Sequence, residues 1–533
     1  MTMPQVLTLP PPPVVDLAPL APFLRPAFLV CGALFLLLVL RYHSFGLRGA
    51  RNDAWWAGRL FRVAIVAAFA GVLVYQSTWQ LFGFTRPKFA AFVRHHNRRP
   101  LAPERVMTRG RILDRNGYTL AADDPYTSGA RTYTIGPAGA HIVGYDHPKY
   151  GRRGIEKCFD KHLAGNSLRS LQDLDHIGRT LMSHRPLEGG SLRLTIDARL
   201  QQLAFALLDG RPGAVVAIQP RSGDILALVS SPAFDPANPT PIPQDQNKAP
   251  RFNRALDGLY PPGSIFKTVT AANAIEAGRL PRLTCPPVGF LPAGTRTPIR
   301  DHEYYEYKRR GKTWPGRVDV DLETAYVHSS NVYFAHLGVL LGEKPFNAIR
   351  ERYCFEEAFP LAQGKAGSIA SAACQIPVIG VDQQGELAQC AIGQGRLLVT
   401  PFHMALLASA IAADGTLYQP RLVYGRKPTV HARVLHPETA GRMTRLMVMT
   451  VKRGTARKAR IWRLGVAGKT GTAETPNGQD HAWFIAFAPV KNPQIALVVL
   501  VEHGGYAASS AVPLAAELLR CARKWNIIGE NAP

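Results

Sequence analysis

The order of the apolar segments between residues 214 and 524 most restricts how this chain can fold. Two short apolar runs, residues 214–218 and 225–230, flank a turn and predict a strand pair. Helical patterns follow, and strand-like runs return only near the end, before a last helix over residues 511–524. Strands at both ends of a helical middle predict one sheet that is built from both ends of the domain and packed on a helical lobe.

A smaller β-rich region precedes this domain. Short apolar runs lie on either side of Asn116-Gly117, and Asn-Gly between such runs strongly favours a β-hairpin. The sequence therefore predicts an α+β protein in which a small β-rich pedestal precedes a domain with a central antiparallel sheet and a helical lobe. In that domain, helices are predicted over residues 198–208, 264–277, 322–340, 401–413 and 511–524, and closing strands over 466–473, 482–488 and 495–501.

Two apolar stretches near the N-terminus indicate a membrane region. One covers residues 27–40, and the other begins at residue 63 and continues to Phe84. A bilayer crossing needs about 20 residues, so the second stretch is long enough, and the first only when residues 20–26 are added. The chain therefore divides into a disordered Pro-rich tail (1–26), a membrane region with one or two transmembrane helices (27–84), a pedestal (85–195) and the larger domain (196–533).

Flanking charges predict the orientation of this membrane region. Residues 1–24 contain no Lys or Arg, whereas the segment between the two apolar stretches is rich in arginine. Because cationic loops stay in the cytoplasm, everything after Phe84 is predicted to lie outside it. A single crossing by the second stretch exports the same region, and this alternative stays open.

The chain is strongly basic, with 63 Lys and Arg against 38 Asp and Glu and a formal net charge of +25. Such a charge fits either nucleic acid or an anionic membrane and cell envelope. Because the sequence has no Cys/His finger spacing and no aromatic RNP-like run, we expect the envelope and no nucleic-acid partner. The seven cysteines are too few for a disulfide framework. Free thiols are expected, with a Cys354–Cys374 bridge as the open alternative.

Three short motifs carry the candidate catalytic residues. They are a Ser-x-x-Lys, a Ser-x-Asn and a Lys-Thr-Gly, and each occurs once in the chain, in this order. Together they match a signature of serine acyl-transfer chemistry. The motif residues are Ser264 and Lys267, then Ser329 and Asn331, then Lys469, Thr470, Gly471 and the adjoining Thr472.

The surroundings of Ser264 give Lys267 a reason to act as its base. A serine hydroxyl is a weak nucleophile until a neighbouring group accepts its proton. Lys267 lies three residues later on a predicted helix, so both side chains lie on one face. The helix is apolar, and burial lowers the pKa of a lysine, as does a second cation, for which Lys469 is the candidate. The preceding Pro-Pro-Gly turn places Ser264 at the helix N-terminus, where the dipole favours an oxyanion.

The other two motifs offer groups for a peptide substrate. Ser329 supplies a hydroxyl for proton relay, and Asn331 supplies an amide that holds a peptide. Thr470 and Thr472 offer hydroxyls beside the Lys469 charge, which suits a carboxylate. The glycine between them is expected to let a substrate backbone approach closely. A helix cap and an ordinary edge strand are the simpler interpretations, but they do not explain why the motifs occur together.

With these residues the chain resembles the class B penicillin-binding proteins, the membrane-anchored, monofunctional peptidoglycan transpeptidases. The resemblance extends from Val106 to Lys524. Two features depart from the family: the pedestal is short, and the second motif is Ser-Ser-Asn where Ser-Asp-Asn is common. The similar runs are residues 109–117 and 154–157 in the pedestal, and 219–223, 393–395, 400–401 and 480–484 in the larger domain.

The resemblance implies a reaction and a role for each motif residue. Ser264 would attack the D-Ala-D-Ala carbonyl of a peptidoglycan stem peptide, and an amine of a neighbouring stem would resolve the acyl-enzyme into a cross-link. β-Lactam antibiotics would acylate the same serine, and no cofactor or metal is implied. The implied roles are Lys267 as base, Ser329 and Asn331 as relay and substrate holder, Lys469, Thr470 and Thr472 as carboxylate site, and the Ser264 and Thr472 N–H groups as oxyanion hole.

The resemblance also implies a location and partners. The catalytic domain would lie on the periplasmic or extracytoplasmic side of the bacterial cytoplasmic membrane. Its protein partner would be a polytopic glycosyltransferase of the shape, elongation, division and sporulation (SEDS) family. Which of these processes the chain serves stays open, although residues 480–482 and 492–494 favour elongation.

Three alternative functions share parts of this pattern. A D,D-carboxypeptidase uses water in place of the amine and has every motif. A β-lactamase needs a deacylating carboxylate, for which Glu343 is the candidate, although it follows Asn331 closely. A non-catalytic β-lactam sensor or divisome scaffold would keep the fold. The intact motifs argue against it, and residues 1–62 do not resemble a signalling domain.

Overall fold

The structure is a computed structural model that describes residues 63–73, 107–124, 130–165, 187–239, 249–425, 427–475 and 478–529. The chain forms two compact units, one of residues 1–107 with 166–187 and one of residues 108–165 with 188–533. In the first unit, a helix covers residues 63–73. No helix within the described ranges is both long and apolar enough to span a bilayer. The predicted tail, the first apolar stretch and the rest of the second lie outside those ranges.

A five-stranded antiparallel sheet forms the centre of the second unit. The first two strands of the domain pair with its last three, which confirms the predicted sheet built from both ends. Predicted strand bounds agree with the structure to within one residue. Except at one edge, every strand residue is buried. In spatial order the strands are Ile225–Ser231, Gly213–Ile218, Ile495–Val501, His481–Ala488 and Ala467–Ala473.

Helices cover both faces of this sheet. Ala198–Leu208 and Ala511–Lys524 share a hydrophobic core with one face. Pro401–Ala412, buried along its whole length, packs on the other. Such cover is required because side chains of a strand alternate between faces, and these strands are apolar on both. The other helices of this domain are Lys267–Glu276, His302–Arg309, Leu322–His328, Asn331–Leu341, Glu343–Asn347, Ile349–Arg352, Gln384–Ala391 and Pro437–Arg453.

The pedestal contains the predicted hairpin. Ile112–Leu113 pairs with Thr119–Asp123, and Gly117, with a φ of 89°, occupies the left-handed turn position. Arg131–Tyr133 and Leu192–Arg193 complete a four-stranded sheet. Its apolar side chains belong to the same hydrophobic core as the lobe of the larger domain.

Five two-stranded pairs complete the strands that the structure describes in the pedestal and the larger domain. They are Met107–Thr108 with Leu187–Glu188, Tyr145–His147 with Gly151–Arg153, Leu283–Cys285 with Arg317–Val320, Pro360–Gly364 with Gly367–Ala370, and Thr416–Tyr418 with Val430–Arg433.

A buried ion network joins the two pedestal runs, residues 109–117 and 154–157. The Glu156 side chain is fully buried and accepts hydrogen bonds from Arg109 Nε at 2.6 Å and Arg131 Nε at 2.7 Å. Arg109 also donates to Asp160 at 2.7 Å. A buried charge is tolerated only when it is paired and hydrogen-bonded, so these residues depend on one another.

All described cysteines are free thiols, so the alternative Cys354–Cys374 bridge is not formed. Burial raises the pKa of both of these thiols to about 12. They are therefore protonated near neutral pH and behave as small apolar side chains.

Candidate active site

The first motif lies on a tight turn in front of the central sheet. Gly263–Phe266 is a 3-10 turn, and the α-helix Lys267–Glu276 begins where it ends, so the helix predicted from residue 264 starts three residues late. Gly263 has a φ of 54°, and a Cβ there would lie 2.4 Å from the Thr472 carbonyl oxygen. Only glycine brings the turn this close to the edge strand. Ser264 is half-buried, and its hydroxyl has no hydrogen-bond partner among the described residues.

Two further glycine- and aromatic-containing runs support this turn. Gly263 N donates to the Gly393 carbonyl at 2.8 Å, and a Cβ at Gly393 would lie 1.9 Å from the Gly263 oxygen. Trp483 Nε1 donates to the Pro261 carbonyl at 3.1 Å. The runs 393–395 and 480–484, which the sequence singled out only by resemblance, therefore position the turn that carries Ser264, the candidate nucleophile.

The second motif occupies a break between two helices. The helix predicted over residues 322–340 is divided into Leu322–His328 and Asn331–Leu341. Ser329, between them, has the left-handed backbone conformation (φ 60°, ψ 40°) that a non-glycine residue adopts at a cost. Ser330 caps the second helix by accepting a hydrogen bond from Tyr333 N. The break directs the Ser329 hydroxyl and the Asn331 amide toward Lys267.

Lys267 and Lys469 meet at Ser329. Lys267 Nζ donates to the Ser329 carbonyl at 2.7 Å and to Asn331 Oδ1 at 2.6 Å, and lies 3.4 Å from Ser329 Oγ. Lys469 Nζ donates to the same Oγ at 2.8 Å and to the Thr470 carbonyl at 2.9 Å. Both lysines are completely buried. The fold thus brings residues of all three motifs around one hydroxyl.

Burial lowers the pKa of both lysines. It brings the pKa of Lys267 to about 7, although the charges of Asp301 and Glu303 oppose the change. The pKa of Lys469 is lowered well below its ordinary value by burial and then by the charge of Lys267. Burial therefore has the effect on Lys267 that the sequence predicted. The pocket accommodates one ammonium group more easily than two.

The third motif lies on the edge strand Ala467–Ala473. Thr470 is buried, and its Oγ1 lies 2.5 Å from Thr455 Oγ1, while Thr472 is half-buried. A Cβ at Gly471 would lie 2.8 Å from Ile265 Cγ2 and 3.0 Å from Ile265 N. Contact with the turn that carries Ser264 is thus one reason for a glycine here.

Sequence reasoning missed a carboxylate beneath the second motif. Asp301 is buried, and its Oδ1 accepts hydrogen bonds from Ser330 Oγ at 2.9 Å and Val332 N at 3.0 Å. It holds the start of the helix Asn331–Leu341 and raises the pKa of Lys267. No sequence spacing links it to the motifs, because the contact is made only in the folded chain.

Glu343 lies away from this pocket. It begins a short helix at the far end of Asn331–Leu341, and 11 helical residues at a rise of 1.5 Å span about 16 Å. The carboxylate that a β-lactamase mechanism requires is therefore not supplied by Glu343. The histidines His403 and His481 have structural hydrogen bonds: His403 Nδ1 bonds with Thr400 Oγ1, and His481 Nδ1 accepts from His503 N.

Comparisons with known proteins agree with this arrangement. Residues 213–520 match the penicillin binding protein transpeptidase domain, and residues 109–186 match the penicillin binding protein A dimerisation domain. The chain is 32% identical over 452 residues to the peptidoglycan D,D-transpeptidase PbpA of Mycolicibacterium smegmatis, a match that covers 77% of this chain and 87% of that protein.

Solved structures are similar over most of the chain. Penicillin-binding protein A from M. tuberculosis, as a ceftriaxone acyl-enzyme complex, has a TM-score of 0.68 at 27% identity and covers 79% of this chain and 100% of its own. Pseudomonas aeruginosa PBP2 in complex with WCK 5153 has a TM-score of 0.63 at 30% identity, with 80% and 98% covered.

Proposed function

The chain belongs to the penicillin-binding proteins, as a class B member, and on that premise we propose that it is a peptidoglycan D,D-transpeptidase with Ser264 as nucleophile. The observation that carries the proposal is the meeting of Lys267 and Lys469 at the Ser329 hydroxyl, next to the Ser264 turn. A lysine pair bridged by a serine hydroxyl can hold one proton and transfer another. Acyl transfer to and from a serine needs both abilities.

In the acylation step, neutral Lys267 accepts the Ser264 proton while Ser264 Oγ attacks the carbonyl between the two D-Ala residues. The backbone N–H groups of Ser264 and Thr472 stabilise the oxyanion of the tetrahedral intermediate. The intermediate collapses by breaking the C–N bond, and the D-Ala amine takes a proton relayed from Lys267 through Ser329. The acyl group is then an ester on Ser264, and Lys267 is neutral again.

In the second step, the amine of a neighbouring stem peptide attacks this ester. Lys267 accepts the proton that the attacking nitrogen loses, and Ser264 leaves with a proton from the same relay. One amide bond has been broken and one formed, which requires no energy source outside the membrane. Water in place of the amine would give hydrolysis, the reaction of a D,D-carboxypeptidase.

The substrate carboxylate decides which lysine of the pair carries the proton. The C-terminal D-Ala carboxylate binds to Lys469 and to the hydroxyls of Thr470 and Thr472. A carboxylate beside Lys469 raises the pKa of that lysine. The single proton that the pocket holds easily then resides on Lys469, and Lys267 stays neutral and able to act as base.

The location and partners are also part of the proposal. The apolar stretches over residues 27–84 anchor the chain in the cytoplasmic membrane, and the net charge of +25 suits an anionic envelope. The catalytic domain acts on the extracytoplasmic side, where it works with a SEDS-family glycosyltransferase in elongation, division or sporulation.

Labelling with a fluorescent penicillin tests the nucleophile. Wild-type protein should be labelled and Ser264→Ala should not, because only the former forms an ester. Ser368→Ala, which removes an exposed serine elsewhere, is the matched control and should label normally. Labelling that persists in Ser264→Ala would sink the assignment. Product analysis with a stem peptide and an acceptor amine then distinguishes cross-linking from hydrolysis.

A further inference from the structure

The helix His302–Arg309 and the segment after it form a surface that the reaction does not use. None of the eight helix residues is fully buried. Every other helix of eight or more residues that the structure describes in the second unit has several buried residues. Its contacts are at its edges, where His302 stacks on Tyr506 and Arg317 donates to Glu303 at 2.7 Å. We call the exposed part the aromatic–basic rim, which comprises Tyr304, Tyr305, Tyr307, Lys308, Arg309, Arg310, Lys312 and Trp314.

The aromatic rings of the rim are held in fixed orientations at the surface. Tyr304 and Tyr305 are edge-to-face at 5.2 Å, and Tyr307 and Trp314 at 5.0 Å. Tyr305 is 48% exposed, and the other three rings are half-buried. Arg300 lies over the Tyr304 ring and Arg317 over the Trp314 ring, so among the described residues the Tyr305 and Tyr307 rings are the ones without an arginine on a face. Exposed, grouped aromatic side chains mark a binding surface. The negative π face of such a ring attracts the C–H groups on the flat side of a sugar ring.

The cations of the rim are free to meet a ligand. Lys308, Arg309, Arg310 and Lys312 are all exposed, and within the described residues none of them forms an ion pair. The acids of the helix are already paired, Glu303 with an arginine and Glu306 with a histidine. The rim therefore has a net positive charge that complements carboxylates.

The rim is continuous with the catalytic pocket. Asp301, the residue before the helix, accepts a hydrogen bond from Ser330 Oγ. Arg300, one residue earlier, accepts a hydrogen bond from Asn331 Nδ2 at 3.0 Å through its carbonyl. Asn331 in turn contacts Lys267. A polymer that lies on the rim therefore lies beside the pocket.

We propose that the aromatic–basic rim binds the glycan strand of peptidoglycan whose stem peptide enters the Ser264 pocket. Sugar rings stack on Tyr305 and on the accessible part of Tyr307, and carboxylates of the stem peptides along the strand pair with the cations. This assignment rests on the proposed function and deepens it, because it makes polymeric glycan, beyond the stem peptide, the ligand. A surface that holds the strand raises the local concentration of stem peptides at the pocket.

The test uses the full chain in detergent micelles and two readouts: co-sedimentation with purified insoluble peptidoglycan, and the rate of penicillin acylation. The rim variants are Tyr305→Ala and the double variant Lys308→Gln/Arg309→Gln. Each is expected to weaken peptidoglycan binding about fivefold or more, the effect of losing one central interface side chain. Penicillin acylation should stay unchanged, since penicillin carries no glycan.

Matched controls remove the same chemistry elsewhere. Trp462→Ala removes a 75% exposed ring beside Arg463, and Lys365→Gln/Arg445→Gln removes two exposed cations. Neither should change binding. Glycan fragments released by a muramidase should compete for the rim, and polyglutamate of equal charge should compete more weakly, because it has no sugar rings to stack on the aromatic side chains.

Two results would overturn the inference: rim variants that bind peptidoglycan as well as the controls, or polyglutamate that competes as strongly as the glycan fragments. If Tyr305→Ala also loses penicillin acylation, its loss of peptidoglycan binding could reflect misfolding. The binding of Lys308→Gln/Arg309→Gln then decides whether the rim holds the glycan. Failure of the proposed function is a separate observation, because it appears as a wild-type protein that penicillin does not acylate.

Discussion

The rate of Ser264 acylation is expected to rise with pH and to level off near pH 7. As the proposed base, Lys267 could accept the serine proton only as a neutral amine, and burial lowers its pKa to about 7. Below that pH the neutral fraction, and with it the rate, should fall about tenfold per pH unit. A lysine at the ordinary value of 10.5 would leave the rate rising far above pH 7.

The same lysine should make the free energy of unfolding depend on pH. Its pKa falls by about 3.5, from 10.5 to about 7, and at about 1.36 kcal/mol per pH unit this is roughly 5 kcal/mol. Between these two pKa values the folded state binds fewer protons than the unfolded state, so the free energy of unfolding rises with pH. Below pH 7 both states are protonated, and the contribution of Lys267 no longer changes with pH. Relative to Lys267→Met, the wild type should therefore gain roughly 2 kcal/mol between pH 7 and pH 9.

Two measurements check this reasoning. Acylation rates are taken with a chromogenic or fluorescent β-lactam from pH 5 to 9, and denaturant unfolding of wild type and Lys267→Met is followed at pH 7 and 9. Lys267→Met should acylate about 10²–10⁴-fold more slowly, the usual contribution of a general base. A rate that does not change between pH 5 and 7, or equal pH dependence of stability in both proteins, would refute it.

Three further substitutions test the packing and charges around the site. Gly471→Ala should slow acylation and cost about 1–3 kcal/mol of stability, because its Cβ meets the nucleophile turn at 2.8–3.0 Å; normal kinetics would contradict this. Asp301→Asn should move the midpoint of the acylation pH profile downward, since the aspartate raises the pKa of Lys267; an upward move would contradict it. Glu156→Gln should lower the free energy of unfolding by about 3–5 kcal/mol, as it removes the buried negative charge that Arg109 and Arg131 share; thermal denaturation measures this, and an unchanged Tm would argue against it.

Much of the fold was predictable because the local patterns agree with the tertiary structure. The strand 495–501 is apolar throughout and buried on both faces, and the predicted helix 511–524 has the bounds found in the structure. Two helix predictions were wrong at Ser264 and Ser329, respectively. Local propensity favours a continuous helix at both positions, but a 3-10 turn and a left-handed residue interrupt it. Active sites are where tertiary contacts override local preference.

The sequence by itself determined which residues are the candidates: three motifs that each occur once, in the order of a serine acyl-transfer signature. It also determined the sheet, because the continuity and the length of an apolar run are local properties. Only the tertiary structure decided that Lys267 and Lys469 share the Ser329 hydroxyl, that Asp301 lies beneath them, and that Gly471 supports the nucleophile turn. The reason is physical: burial and Coulomb interactions depend on distances through space, and spacing along the chain does not specify them.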